Sequence, residues 1–263
     1  MKWMFKTPRG MKLDDAMRLA AEAGYDGAEI QLYDLPDDRG WMCETVKRIR
    51  ETGFPVTVHA PSGDINLSSS NQGIRRESFR QVQETIRLAG ELGALAVTIH
   101  PGRLSSMRET GEKQIGWMEE AFIRLAEQAE REQVVIGMEN MELRPKEIYT
   151  SIESMNRLLD LHSGACSGLT LDFAHLYTVD REMTLSELRH RICNVHISQC
   201  VGGKAHFGLT AEGGEISVKA CIEKLRKIRY EGTVVIEAKD SGSLEAARNN
   251  LRLLKAAEGS WEG

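Results

Sequence analysis

Short apolar runs rich in β-branched residues recur along the chain at Lys2–Lys6, Gly27–Leu32, Pro55–His59, Ala94–His100, Val134–Glu139, Gly168–Asp172, Cys193–Ile197 and Thr233–Glu237. Each is bounded by glycine, proline or polar residues, the pattern of strands buried on both faces. Between them the apolar positions change to helical spacing. In one stretch Ile74, Ser78, Phe79, Val82, Ile86 and Ala89 share a face, while Arg75, Arg76, Arg80 and Arg87 fall elsewhere as a solvated face. The other amphipathic stretches are Leu13–Ala23, Trp41–Thr52, Gln114–Arg131, Lys146–Leu161, Thr184–Arg189, Ile216–Arg229 and Leu244–Ala257. Eight strands alternating with eight helices require parallel strands joined by right-handed crossovers.

Length decides how such a sheet ends. At 263 residues the repeat is about 33 residues per strand–helix unit, which fits a single α/β domain over residues 1–263 folded as one closed (β/α)8 TIM barrel. An open doubly wound sheet would carry Gly-x-Gly-x-x-Gly after its first strand or a Walker loop, and neither is present. Charge narrows the partners. With 34 Lys and Arg against 39 Asp and Glu, the net charge is -5, which argues against holding nucleic acid by bulk charge. The five cysteines, Cys43, Cys166, Cys193, Cys200 and Cys221, form no Cys-x-x-Cys pair and read as reduced thiols. The first residues hold no apolar core of signal-peptide length, and no window of 18 uncharged apolar residues occurs. A soluble, cytoplasmic protein with no membrane contact is therefore expected.

A barrel of this kind works at the carboxyl-terminal ends of its strands. The residues there are Glu29, His59, His100, Glu139, Asp172, His196 and Glu237, with His175 and His206 just beyond strand ends. Five of the seven histidines thus fall on one face. A single histidine or carboxylate there is more often a structural hydrogen-bonding group or a helix cap. So many anions and imidazoles converging on one mouth are costly to desolvate unless cations offset them. A divalent metal site follows. Mixed imidazole and carboxylate ligands suit zinc, manganese or iron better than magnesium.

The local segments His59-Ala-Pro…Asp64-Ile-Asn-Leu, His100-Pro-Gly, Glu139-Asn, Leu171-Asp-Phe-Ala-His175, Val195-His-Ile and Ile236-Glu237 resemble the xylose isomerase-like TIM barrels over nearly the whole chain. That superfamily includes sugar isomerases and epimerases and apurinic/apyrimidinic endonuclease IV. The resemblance implies that Glu139, Asp172, His196 and Glu237 form a four-ligand metal site. It makes His175 a substrate-contacting histidine in an epimerase or a metal ligand in an endonuclease. It makes His59, His100 and His206 further metal ligands of the endonuclease kind, where three zinc ions are bound. Lys204 stands where the endonuclease carries an aspartate, so one or two zinc or manganese ions are expected rather than three.

Two chemistries are compatible with such a face. A metal-dependent isomerase or epimerase of a sugar or sugar phosphate would work through an enediolate, with Glu139 and Glu237 moving protons on opposite faces of the substrate. His100, His175 and His206 would contact that substrate, and Lys204 or Arg103 would hold a phosphate or carboxylate on it. The alternative is an endonuclease IV-like, zinc-dependent phosphodiesterase acting on abasic DNA. In it Glu139 would bridge two metals, with His59 and His100 completing the first. Nucleic acid is a partner only in that case, and no loop with interleaved basic and aromatic residues supports it. A non-catalytic metal-storing or metal-sensing barrel is a third class. Acidity and short loops favour the isomerase or epimerase.

Overall fold

Eight parallel strands close into a barrel in a computed structural model that describes residues 1–32, 39–108, 111–162, 164–239 and 242–259. In chain order the strands are β1 (Lys2–Lys6), β2 (Gly27–Gln31), β3 (Val56–His59), β4 (Val97–Ile99), β5 (Ile136–Glu139), β6 (Ser167–Asp172), β7 (Ile192–Ile197), β8 (Gln199–Val201), β9 (Lys204–Phe207) and β10 (Thr233–Ile236). The ring order is β1-β10-β7-β6-β5-β4-β3-β2, and β8 and β9 form a separate antiparallel hairpin. Around the barrel lie α1 (Leu13–Ala23), α2 (Arg39–Thr52), α3 (Gln72–Leu92), α4 (Glu112–Glu132), α5 (Ile152–Leu159), α6 (Phe173–Val179), α7 (Val218–Lys227) and α8 (Leu244–Gly259). The expected (β/α)8 TIM barrel is present. Among the described residues, no helix is long and apolar enough to cross a membrane.

The helices form where apolar spacing and capping agree. In α4, Met118, Phe122, Leu125 and Ala129 repeat every three or four residues and are all buried against the barrel. Asn71 caps α3 by accepting hydrogen bonds from the amides of Gly73 and Ile74, and Gly93 ends it in the left-handed region at φ 68°.

Two expected helices differ. The stretch predicted at Lys146–Leu161 becomes helical only at Ile152. Lys146 and Tyr149 take positive φ values of 76° and 59°, which no helix admits, and Ser151 and Ser154 close a capping box that starts α5. The stretch predicted at Thr184–Arg189 is not a helix. Instead the Asp172 carboxylate accepts the amide of His175 and starts α6 directly at the strand end. Asp180 then accepts the amides of Glu182 and Thr184, turning the chain. Asn156 of α5 takes the backbone at Glu187 and Arg189, so hydrogen-bonding groups a helix would use are satisfied elsewhere. The segment after β7 is the β8–β9 hairpin, turning through Gly202 and Gly203 at positive φ.

The barrel interior below the mouth is polar. Thr57 Oγ1 and Asn194 Nδ2 donate to Glu29 Oε2 at 3.2 and 3.0 Å. Asn194 Nδ2 also reaches Thr98 Oγ1, Thr98 meets Thr170 at 3.1 Å, and Thr233 Oγ1 donates to Asn194 Oδ1 at 2.7 Å. Gly137 leaves the room this network needs, because a Cβ there would lie 2.2 Å from Thr170 Oγ1 and 3.0 Å from Thr170 N. Gly137→Ala is expected to lower unfolding free energy by about 1–3 kcal/mol, as overpacking of a filled core does. The measurement is the denaturant midpoint at unchanged slope, and an unaltered midpoint would refute the packing account.

Candidate metal centre

Strand ends bring most of the expected residues together. Glu139 and Asp172 close β5 and β6, His196 is the penultimate residue of β7, and Glu237 follows β10. One ligand atom from each of these four lies within 4.8 Å of the others, and all four residues are buried. His196 Nδ1 is the hub, 3.1 Å from Glu139 Oε1 and 2.7 Å from Glu237 Oε2. A second group, His59, His100 and Glu139, meets the same spacing criterion and shares Glu139. There His100 Nε2 lies 2.7 Å and His59 Nε2 3.6 Å from Glu139 Oε2.

His175 and His206 form a third group. Their Nε2 atoms are 3.1 Å apart, and Glu142, three residues beyond the end of β5 and paired with Arg144 at 2.7 Å, completes the group. Glu237 Oε1 lies 3.7 Å from His206 Nδ1, and Glu139 Oε1 lies 3.7 Å from His175 Nδ1. Lys204 does not join them. It is exposed at the start of β9 and has no hydrogen bond or ion pair with His175 or His206. The expectation that an ammonium replaces a carboxylate beside these histidines is not met, because Glu142 supplies one from a different strand end. Arg103 also lies apart from the clusters. It is exposed on a cavity of about 640 Å³ between the segments that follow β3, β4 and β5, together with Lys146, Asp64 and Glu147.

Glu29, Lys6 and two backbone carbonyls orient these residues. Glu29 Oε2 sits 3.1 Å from His196 Nε2, so a carboxylate holds the outer nitrogen and turns Nδ1 toward the centre. His59 and His175 are held the same way, their Nδ1 atoms donating to the carbonyls of Ala60 at 2.7 Å and Asn140 at 2.9 Å. Lys6, the last residue of β1, puts its ammonium 2.5 Å from Glu237 Oε1. Glu29, expected at a strand end, is the central residue of β2, and its role needed the distance to His196. Lys6 was equally visible, since it ends the first strand. Glu142 carried no signal, because it stands beyond its strand.

Local electrostatics follow from burial and neighbours. Burial alone would raise Glu139 and Glu237. For Glu139 the nearby His100 and His196 outweigh it, and for Glu237 Lys6, His206 and His196 do, so both carboxyls stay well below the usual range. Asp172 is pushed up to about 6, chiefly by burial. Burial would lower His196, yet Glu29, Glu237 and Glu139 carry it well above its ordinary value. His206 is pulled down to about 4, chiefly by burial.

Whether a cation fits can be judged from what the protein leaves unsatisfied. Asp172 Oδ2 is buried without a hydrogen-bond partner, and the buried Glu139 Oε2 and Glu237 Oε2 are met by the imidazoles of His100 and His196, each 2.7 Å away. A buried carboxylate oxygen normally has a hydrogen-bond partner, and here the neighbours on offer are themselves candidate ligands. The donor set of imidazole and carboxylate suits zinc or another borderline divalent ion.

Comparison with known proteins agrees with the fold. A model of the xylose isomerase-like TIM barrel matches residues 17–257. The chain is 30% identical over 187 residues to an uncharacterized protein of Methanocaldococcus jannaschii, spanning 71% of this chain and 68% of that one. It is 26% identical over 167 residues to a probable endonuclease 4 of Mycobacterium ulcerans, spanning 62% and 64% of the two chains. A solved D-tagatose 3-epimerase-like protein superposes with a TM-score of 0.86 at 22% identity, covering 98% of this chain and 97% of that one. The IolI protein with a bound zinc atom gives 0.76 at 17% identity, covering 98% and 96%.

Two outcomes are expected of the centre itself. Protons compete with a metal for Asp172 and for His196, so affinity for zinc or manganese should rise with pH and should fall steeply as pH drops through about 6. Calorimetric titration between pH 5 and 8 reads this, and affinity independent of pH would contradict it. Glu29→Gln removes no ligand but loosens His196, and metal affinity should fall about 10–100-fold. An unchanged dissociation constant would show that Glu29 does not orient His196.

Proposed function

The chain belongs to the xylose isomerase-like TIM barrel family, and we propose that it is a divalent-metal-dependent isomerase or epimerase of a small sugar, with or without a phosphate. The observation that carries this reading is the pair Glu139 and Glu237. Each puts one oxygen beside His196 Nδ1 and has its other oxygen turned elsewhere. Glu139, Asp172, His196 and Glu237 would hold the metal, which when bound acidifies the C–H beside a chelated sugar oxygen and stabilises the enediolate. Glu139 and Glu237 then remove and return the proton from opposite faces. His100, part exposed above Glu139, and the His175–His206 pair contact substrate hydroxyls. Burial keeps His206 neutral at physiological pH, so it can donate or accept a hydrogen bond without adding charge. The cavity beside the mouth, with Arg103 and Lys146, suits the far end of the substrate. Similarity in fold to an epimerase-like protein supports the same class.

A second reading, an endonuclease IV-like zinc phosphodiesterase on abasic DNA, is favoured by the groups His59–His100–Glu139 and Glu142–His175–His206 and by the curated endonuclease relatives. With Lys204 exposed and Glu142 beside the two histidines, the ground for expecting one or two ions rather than three is weakened, and the ion count becomes informative. Against this reading stands the net charge of -5, with no bulk attraction for a polyanion.

The test is isotopic. A panel of ketoses and ketose phosphates is incubated with metal-loaded protein in deuterium oxide, and incorporation of carbon-bound deuterium is expected for at least one. Glu139→Gln and Glu237→Gln should each lower that exchange by about 10²–10⁴-fold, the usual contribution of a positioned proton-transfer group. Metal-dependent nicking of abasic DNA without sugar exchange, accompanied by three tightly held ions per chain, would replace this reading with the second.

A further inference from the structure

We propose that Lys6 sets which metal this centre prefers, by taking one oxygen of Glu237 out of reach of the ion. The inference rests on the metal site proposed above, but on neither choice of substrate.

The carboxylates of the four-residue group are each divided between the protein and the centre. Asp172 spends Oδ1 on the amide of His175 at 2.7 Å, where it caps α6, and only Oδ2 is left without a partner. Glu139 places Oε1 beside His196 Nδ1 and turns Oε2 toward His59 and His100. Glu237 points Oε2 at His196 Nδ1, 2.7 Å away, while Oε1 faces Lys6 Nζ at 2.5 Å. His196 brings one nitrogen, because its other is held by Glu29. The set therefore presents four single donor atoms.

Lys6 is built into this position by the barrel. Phe5 pairs with Ile236 in the β1–β10 ladder, so the next residues along, Lys6 and Glu237, leave the two strands side by side. Lys6 also pairs with Glu29 across β1 and β2. Its side chain is only 19% exposed, so the ammonium is held against Glu237 rather than in free solvent.

Four single donors match zinc, which is commonly bound tetrahedrally by nitrogen and oxygen. Manganese and other hard ions favour six oxygen-rich positions and gain from a bidentate carboxylate. A lysine that keeps Glu237 to one oxygen should disfavour manganese more than zinc. Removing a positive charge near a dication, by contrast, strengthens both metals alike.

This difference gives the experiment. Zinc and manganese dissociation constants are measured by competition calorimetry on the full-length chain for wild type, Lys6→Met and Lys6→Arg, with melting curves confirming that each is folded. In Lys6→Met the ratio of the manganese constant to the zinc constant should fall about 10-fold, the scale on which groups behind the ligands tune a site. In Lys6→Arg the guanidinium still engages Oε1, and the ratio should stay at the wild-type value. Lys6→Ala gives the same reading if Lys6→Met does not fold. Equal gains for both metals, or an unchanged ratio in a folded Lys6→Met or Lys6→Ala, would overturn the inference and leave the metal site standing. Failure of the wild-type chain to bind either metal would overturn both.

Discussion

Four carboxylates, Glu29, Glu139, Asp172 and Glu237, are buried together at the end of a closed barrel, and the arrangement of the mouth is governed by that charge. Placing even one ionised carboxylate in a low-dielectric interior is costly without a partner. The protein offsets part of this cost itself. His196 lies between three of the four, Lys6 neutralises one oxygen of Glu237, and His59 and His100 approach Glu139. What it does not offset is the remaining negative charge of the four carboxylates, with Asp172 Oδ2 left without a hydrogen bond. A divalent cation would supply the missing charge at that point, and the same groups that are costly to bury would become its ligands.

The rest of the barrel supports this concentration of charge. Beneath the mouth, side chains of β2, β3, β4, β6, β7 and β10 form a hydrogen-bonded interior instead of the aliphatic filling common in such barrels. Glu29 joins the two levels, accepting from Thr57 and Asn194 below while holding His196 above. Asn140 does similar work at the side. Its Oδ1 accepts the amide of Asp172, its Nδ2 donates to the Asp172 carbonyl, and its own carbonyl fixes His175. The positions of the candidate ligands are thus set by neighbouring backbone and buried polar groups, which restrict them more tightly than exposed loops would.

Sugar and phosphodiester chemistry make different demands on this one frame. Proton transfer across a sugar needs two carboxylates with an oxygen each near the substrate, and Glu139 and Glu237 stand on either side of His196. Hydrolysis of a phosphodiester needs several cations close together, and the groups built on Glu139 and on His175–His206 provide the donors. The histidines can serve either purpose, because a neutral imidazole with one nitrogen fixed by a carbonyl presents a lone pair to a metal and equally to a hydroxyl.

The sequence by itself determined the barrel and most of the site. Alternation of apolar runs with helical spacing is a local property, and in a parallel barrel each strand end falls on the same face, so Glu139, Asp172, His196 and Glu237 were bound to meet once the strands were recognised. The path between elements was less legible, because the segments at Lys146–Ser151 and Thr184–Arg189 have helical spacing but lose their backbone hydrogen bonds to positive φ values and to the side chains of Asp180 and Asn156. Only the tertiary structure decided that Glu142 rather than Lys204 approaches His175 and His206, and that Lys6 divides the oxygens of Glu237. Those outcomes depend on where side chains from separate strands point after the barrel closes, and residue spacing along one strand carries no record of that.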